Sequence, residues 1–366
     1  MNCYPFLHVE AALRNAVDTG ITAGATLVFG EGDRRHEVHA GQAQRVPSMR
    51  PLSPAALFDL ASLTKVLATT WLAMKWTAAG RLDLDAPLGD LLPGYYPADK
   101  RPLTVRLLMC HAAGLPSGLQ LHQQLPPDSA GESGRRAVVE RYLQTPLADH
   151  PGVTTLYSDI GPILVGDLLE HLAPGPNARL DAICSTELYA PLALVDTFFA
   201  HLDDPLPAAQ RPPEAFAATE ACPWRNRILS GEVHDENAHL LRGVAGHAGL
   251  FSTALDLERI ARAYLGEADI GVDSATLQSL TRAQQLTPNS TRAFGWDTPR
   301  PDGPSGRGFS PLAYGHTGFT GTSIWIDPEH SRYVILLTNR VHPGREDRGF
   351  PAFRPQLHNL VLDSLQ

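Results

Sequence analysis

Apolar residues recur along the chain in two rhythms, and the placement of each rhythm predicts the architecture. Residues 21–29 (Ile-Thr-Ala-Gly-Ala-Thr-Leu-Val-Phe) form a β-prone run, and residues 37–41 form another across the polar turn Gly30-Glu31-Gly32-Asp33, so the pair reads as a hairpin. A second hairpin is expected near the other end, where the β-branched and apolar runs 320–326 and 333–338 are joined by Asp327-Pro328-Glu329-His330. Helices are expected over residues 8–18 and 352–365. Between the β-rich ends the spacing turns helical, over residues 62–79, 105–110, 135–144, 162–172 and 256–265. Strands drawn from both ends with helices between them predict an α+β fold: an antiparallel sheet flanked by helices, plus an all-helical subdomain. The expected division is a single catalytic domain over 1–366, with an α/β part of about 1–65 and 290–366 and a helical part of about 66–289. Prolines 205, 207, 212 and 213 and the proline/glycine cluster from Pro301 to Gly308 read as surface loops.

Composition narrows the function classes. With 366 residues, 43% of them hydrophobic and 19% charged, the chain has ample material for a core. The formal charge of -9, with arginines scattered among acids and no basic run, argues against a nucleic-acid partner. No stretch approaches the roughly 18 uninterrupted apolar residues of a membrane span. The first residues lack a basic segment followed by an apolar run, and Cys3, Cys110, Cys184 and Cys222 show no C-x-x-C pairing. A cytoplasmic protein with free, buried thiols is therefore expected, or a periplasmic one if a leader has been removed. Composition carries no signal of oligomeric state.

Three short motifs carry candidate chemistry. Ser62-Leu63-Thr64-Lys65 opens an apolar helix, which places a hydroxyl and an amine on one helix face at i and i+3. A serine at a helix start gains from the positive end of the dipole, and a lysine one turn on can exchange its proton, although a capping serine has the same appearance. Tyr157-Ser158-Asp159 precedes the helix near Gly161-Pro162; its structural reading is Asp159 as N-cap with Pro162 in the first turn and Tyr157 as a packing residue. Gly315-His316-Thr317-Gly318-Phe319 leads into a late strand, where small residues admit a substrate backbone and the His/Thr pair offers donors to an anion.

The order and context of S-x-x-K, Y-S-D and H-T-G resemble the serine β-lactamase/penicillin-binding-protein (DD-peptidase) superfamily, specifically its class C-like branch. Further likeness lies in Gly80-Arg81-Leu82-Asp83-Leu84-Asp85, in residues 103–108 with His111-Ala112-Ala113-Gly114-Leu115-Pro116, in Gly249-Leu250-Phe251-Ser252-Thr253-Ala254 and in Leu336-Leu337-Thr338-Asn339. The resemblance implies a β-lactamase/transpeptidase-like fold and an acyl-enzyme mechanism without cofactor or metal. Ser62 would be the nucleophile, Lys65 and Tyr157 would share the base role, and the backbone N–H groups of Ser62 and Phe319 would form the oxyanion hole. Asp159, His316, Thr317, Gly318, Asp235 and His247 would face the substrate.

Two departures from that pattern bear on substrate. His316 stands where most β-lactamases carry lysine, and an imidazole attracts a carboxylate less strongly near neutral pH. Asp159 replaces the usual asparagine, which puts an acceptor where substrates meet an amide donor and offers Lys65 a partner. Arg340, at the end of the last strand, is a further cation for the cleft or a solvated strand end. The cluster His234-Asp235-Glu236-Asn237-Ala238-His239 with His247 matches no common metal spacing. The expected reaction is hydrolysis of a D-amino-acid peptide related to peptidoglycan, or of a small ester. The alternatives are a class C-type β-lactamase and a non-catalytic penicillin-binding sensor.

Overall fold

The computed structural model describes residues 6–365 apart from 128, 130–131, 176–177 and 205–207. Its main sheet draws β1 (Gly24–Glu31), β2 (Arg34–Gln44) and β3 (Arg50–Pro51) from the first part of the chain, and β9 (Tyr314–Thr317), β10 (Ser323–Asp327) and β11 (Arg332–Thr338) from the last. The order is β3-β2-β1-β11-β10-β9, antiparallel throughout. β1 and β11 lie at the centre, with Leu27 opposite Leu336 and Phe29 opposite Val334, and both read as near-continuous apolar runs because both of their faces are covered.

The two-residue side-chain period sorts the sheet into two cores. Ala25, Leu27, Phe29, Val334 and Leu336 point toward the terminal helices Leu7–Asp18 and Phe350–Leu365, where they meet Val9, Leu13, Leu357 and Val361. Val28, Ile335, Leu337 and Ile324 point the other way into a large core shared with Trp71, Leu72, Leu164 and Leu257. The middle of the chain supplies that second layer through helices Val105–Met109, Glu132–Leu143, Ile160–Leu172 and Ala254–Tyr264. It also carries short strands that the sequence pattern did not announce: β4 (Phe58–Asp59), β5 (Phe198–Phe199) and β8 (Leu250–Ser252) form a small sheet, and β6 (Ala221–Cys222) pairs with β7 (Arg227–Ile228).

Several boundaries move from their expected places. The first hairpin turns at Gly32-Asp33, with Glu31 opposite Arg34, so β2 includes the polar Arg-Arg-His stretch that looked like loop. β10 starts at Ser323 because Thr320 and Thr322 spend their hydroxyls on a turn. H-T-G does not enter that strand; it closes β9, an edge strand too short to show a period. Ser62 lies in the turn immediately before the expected helix, which starts at residue 63 and passes through a π-helical stretch, Lys65–Thr70, before Trp71–Ala78. Such π segments recur at functional sites.

Cys110, Cys184 and Cys222 are buried and unpaired, and burial pushes the Cys110 thiol up to about 12. Cys3 and the first-residue pattern read for a leader lie outside the described residues, as do Pro205 and Pro207. Among the described residues no helix is long and apolar enough to cross a membrane.

Candidate active site

The turn that presents Ser62 is built by strain and by one buried carboxylate. Ala61 adopts φ +47°, an uncommon conformation for a residue with a Cβ. Asp59 compensates: its Oδ1 accepts from the Ala61 N–H at 2.8 Å, and its Oδ2 accepts from the His234 N–H at 2.6 Å. Burial pushes the Asp59 carboxyl above its ordinary value, while the two N–H donors oppose that rise. One side chain thereby ties the Ser62 turn to the loop that carries Asp235.

Lys65 is 1% exposed, and its Nζ donates to Ser62 Oγ at 2.8 Å and to the His247 carbonyl at 3.3 Å. Asp159 Oδ1 lies 2.7 Å from the same nitrogen. Burial works against the lysine charge, but the Asp159 carboxylate and then Tyr157 outweigh it, so the ammonium persists well above the usual lysine range. Asp159 makes no side-chain cap to the following helix, so the capping reading fails; the Ile160 N–H donates to Ser158 Oγ instead.

Tyr157 stands over this pair, with Lys65 Nζ 5.1 Å from its ring centroid and the Arg292 guanidinium 5.4 Å away. The 111–117 turn holds the Tyr-Ser-Asp loop. His111 accepts from the Ser158 N–H at 3.2 Å, its carbonyl accepts from the Leu156 N–H, and its ring lies 4.6 Å from that of Tyr157. Burial keeps His111 neutral, which leaves Nδ1 free to accept. His111 is a site residue that sequence reading passed over as part of an accessory stretch. A histidine placed one residue past the helix Val105–Met109 and its C-cap, ahead of Gly-Leu-Pro, was the available signal.

Gly318 is required where H-T-G leaves the sheet: a Cβ there would stand 2.1 Å from Thr322 Oγ1 and 2.6 Å from the Leu60 carbonyl. Thr320 and Thr322 donate to the carbonyls of Asp59 and Leu60 at 2.8 and 3.0 Å, which bolts the Phe319 turn to the Ser62 turn. The ring of Phe319 is half-exposed between His234 at 5.7 Å and the Arg340 guanidinium at 4.7 Å.

His316 departs from its expected role as an anion donor. Its Nδ1 lies 2.8 Å from the Thr317 carbonyl, which assigns the ring proton to that nitrogen and leaves Nε2 as a buried acceptor. Burial, Lys65 and Arg292 hold it neutral. His247 also departs from a direct substrate contact. It is 1% exposed, behind Asp235, with Nε2 2.9 Å from Asp235 Oδ1. Asp235 itself lines the cleft, and it is kept below the usual carboxylate range against the cost of its burial, chiefly by His247. The other histidines of that loop pair separately with carboxylates, His234 with Glu220 and His239 with Glu232, and no three potential ligands converge as a metal site among the described residues.

Ser62, Tyr157, Asp159, Asp235, His316, Thr317, Gly318 and Phe319 line one cleft of about 480 Å³. Arg292, Arg300, Arg340 and Arg354 share its wall. Asp297, hydrogen-bonded through its backbone to Gly315, holds Arg292 and Arg300 at 3.5 Å each. Of these residues only Arg340 drew attention in the sequence. The others come from loops and a helix whose approach no local pattern records.

A serine beside a buried lysine and a tyrosine, between a terminal-strand sheet and a helical layer, defines a serine hydrolase of the penicillin-binding-protein fold. The Beta-lactamase family profile matches residues 9–354, and the chain belongs to that family. It is 34% identical over 317 residues to the N-acetylmuramyl-L-alanine amidase of Bacillus subtilis, a match covering 78% of this chain and 68% of that protein. It is 31% identical over 314 residues to a Salmonella typhimurium protein provisionally named D-alanyl-D-alanine carboxypeptidase, covering 78% and 70%. In fold it is similar to a penicillin-binding protein homologue from Caulobacter crescentus, with 19% identity, a TM-score of 0.73 and coverage of 99% and 98%.

Proposed function

We propose that the protein hydrolyses an amide bond in a peptide fragment of peptidoglycan through an acyl-enzyme on Ser62. The observation that carries this reading is the 2.8 Å contact from Lys65 Nζ to Ser62 Oγ at the wall of a cleft that Tyr157 also lines. Ser62 would attack the carbonyl, and the N–H groups of Ser62 and Phe319 would receive the developing oxyanion. Lys65, fixed as an ammonium by Asp159, is not the resting base. That leaves Tyr157 as the base, which requires its phenolate form: it would take the serine proton and hand it to the leaving amine as the C–N bond breaks, the Lys65 ammonium would stabilise the negative charge on the attacking oxygen, and water would then release the acyl group from Ser62.

The substrate class is supported by the two curated relatives, whose names place amide bonds of N-acetylmuramyl-L-alanine and of D-alanyl-D-alanine within reach of this family. A β-lactamase is the weaker reading, because an acceptor at Asp159 and a neutral His316 replace a donor and a cation. The test is intact-mass measurement after exposure to a fluorophosphonate and to penicillin, with Ser62→Ala as control, followed by assays for amine release from N-acetylmuramyl-L-alanine and from a D-alanyl-D-alanine peptide. A covalent adduct on the wild type that is absent from S62A, with release from either substrate, is the expected result. Equal labelling of S62A, or an adduct without turnover of any peptide, sinks the hydrolase reading.

A further inference from the structure

The loop from His234 to His239 aims one carboxylate at the cleft and spends its other groups on holding that carboxylate still. Asp235 caps the short helix Glu236–Leu240, a task that needs one oxygen. Its Oδ1 takes both intramolecular hydrogen bonds, from the Ala238 N–H at 2.7 Å and from His247 Nε2 at 2.9 Å. Oδ2 has no hydrogen-bond partner among the described residues, and the partly exposed side chain lines the cleft together with Ser62 and Tyr157. The backbone is clamped as well: Asp59 Oδ2 holds the His234 N–H, and buried Arg225 donates to the Asp235 carbonyl at 3.3 Å. Burial opposes the carboxylate charge, but His247 and the Ala238 N–H outweigh it, with Lys65 adding to them, so the group stays ionised. The product is a fixed oxygen in the cleft wall that can only accept.

Its place beside Ser62 says which half of the substrate meets it. Tyr157, which hands a proton to the leaving amine, shares its wall with Arg292 at 5.4 Å and with His316, whose ring lies 6.0 Å away. The leaving group departs along that wall. The acyl half is left to the flank where His234 stacks on Phe319 at 5.7 Å and Asp235 follows. We propose that Asp235 determines specificity for the acyl half, with Oδ2 accepting a hydrogen bond from a hydroxyl of a sugar-acid acyl group, so that the site takes sugar acyl groups in preference to peptidyl ones. This deepens the functional reading above, between whose two amides it chooses, and rests on Ser62 as the nucleophile. A peptidyl acyl group brings one main-chain N–H at a fixed place beside its α-carbon, whereas a sugar acid brings several rotatable hydroxyls, and O–H to carboxylate bonds are among the shorter and stronger hydrogen bonds. An ammonium suits the place less well, because Lys65 already sets a positive charge against the same carboxylate.

The test compares two acyl donors with one leaving amine, in the whole chain: N-acetylmuramyl-L-alanine, and 2-methoxypropanoyl-L-alanine, which keeps the ether and the scissile amide but has no sugar hydroxyl. L-Alanine release gives kcat/KM for each. The ratio is expected to favour the sugar donor by about tenfold or more in the wild type, to fall about tenfold in D235N, and to be partly kept in D235E. Equal losses on both donors leave the ratio unmoved, make Asp235 a structural residue or a support for Lys65 through His247, and overturn the proposal. So does a wild type that cuts an N-acetyl-D-alanyl-D-alanine peptide as well as the muramyl donor. D-Alanyl-L-alanine cut best of all, with the largest loss in D235N, marks an ammonium site and overturns it too. If no donor is turned over, the hydrolase reading fails separately, and calorimetric titration of N-acetylmuramyl-L-alanine into S62A and into S62A/D235N decides the subsite. Binding about tenfold weaker to the double variant is expected there, and equal or undetectable binding overturns the assignment.

Discussion

A carboxylate at position 159 changes what Lys65 can be. An amide there would leave the buried amine to choose between charge states, whereas Asp159 at 2.7 Å commits it to the ammonium. Because the folded-state value of Lys65 is raised, the stability gained is fully present below the unfolded lysine value of about 10.4 and is lost only as pH climbs through the higher folded value. Asp159→Asn is therefore expected to cost about 1.5–3 kcal/mol near neutrality, the worth of a hydrogen bond to a charged group, and the loss shrinks toward alkaline pH as the variant's buried lysine gives up its proton. Denaturant unfolding at pH 7 and 9 checks this, and a loss that grows with pH contradicts it. The same variant lets Lys65 shed its proton more easily. With the ammonium as the working form, the descending alkaline limb of kcat/KM should move to lower pH, and an unmoved limb would separate Asp159 from the proton inventory of the site. Of this arrangement, the sequence announced the residues and the option of an Asp159–Lys65 contact. It did not announce His111 or the neutral His316, because both depend on burial created by distant segments.

The β9 turn and the Ser62 turn work as one unit, through two threonine hydroxyls that reach the carbonyls of residues 59 and 60. Gly318 sits where they meet. An added methyl at 2.1 Å from Thr322 Oγ1 and 2.6 Å from a carbonyl must displace backbone on one side or the other. Gly318→Ala is expected to lower kcat by about 10²–10³, the range for losing one oxyanion donor, while thermal unfolding shows a far smaller effect. A variant with wild-type kcat would show that the Phe319 N–H does not serve the oxyanion. The long elements were legible beforehand: the central strands, both terminal helices and four of the middle helices announce themselves by sustained periodicity. The short ones were not. β4, β5, β8 and β9 span two to four residues each, less than the window a period needs, and they exist because tertiary neighbours pair with them.

Across the molecule, the cleft is stiffened from behind by a charged lattice that reaches from β6 and β7 to the loop bearing Asp235. Arg225 is buried and donates to the carbonyls of Val233, His234 and Asp235, and Glu232 balances it at 2.9 Å while also meeting Arg227 and His239. Burial opposes the Glu232 charge, but His239 and the two arginines prevail and depress its carboxyl to about 2. A depressed carboxylate contributes stability that is present above its unfolded value, about 4.3, and is lost as pH falls through the folded value. Glu232→Gln keeps the shape and removes the charge, so it isolates that contribution from those of the other buried acids. The wild type is expected to exceed E232Q by about 1.5–3 kcal/mol at pH 6, with the gap closing as pH drops from 5 toward 2, where a protonated glutamate resembles glutamine. Parallel denaturation series at pH 6, 4 and 2.5 decide it. A gap that stays constant would mean that Glu232 acts through packing, and the lattice behind Asp235 would then hold by shape rather than by charge.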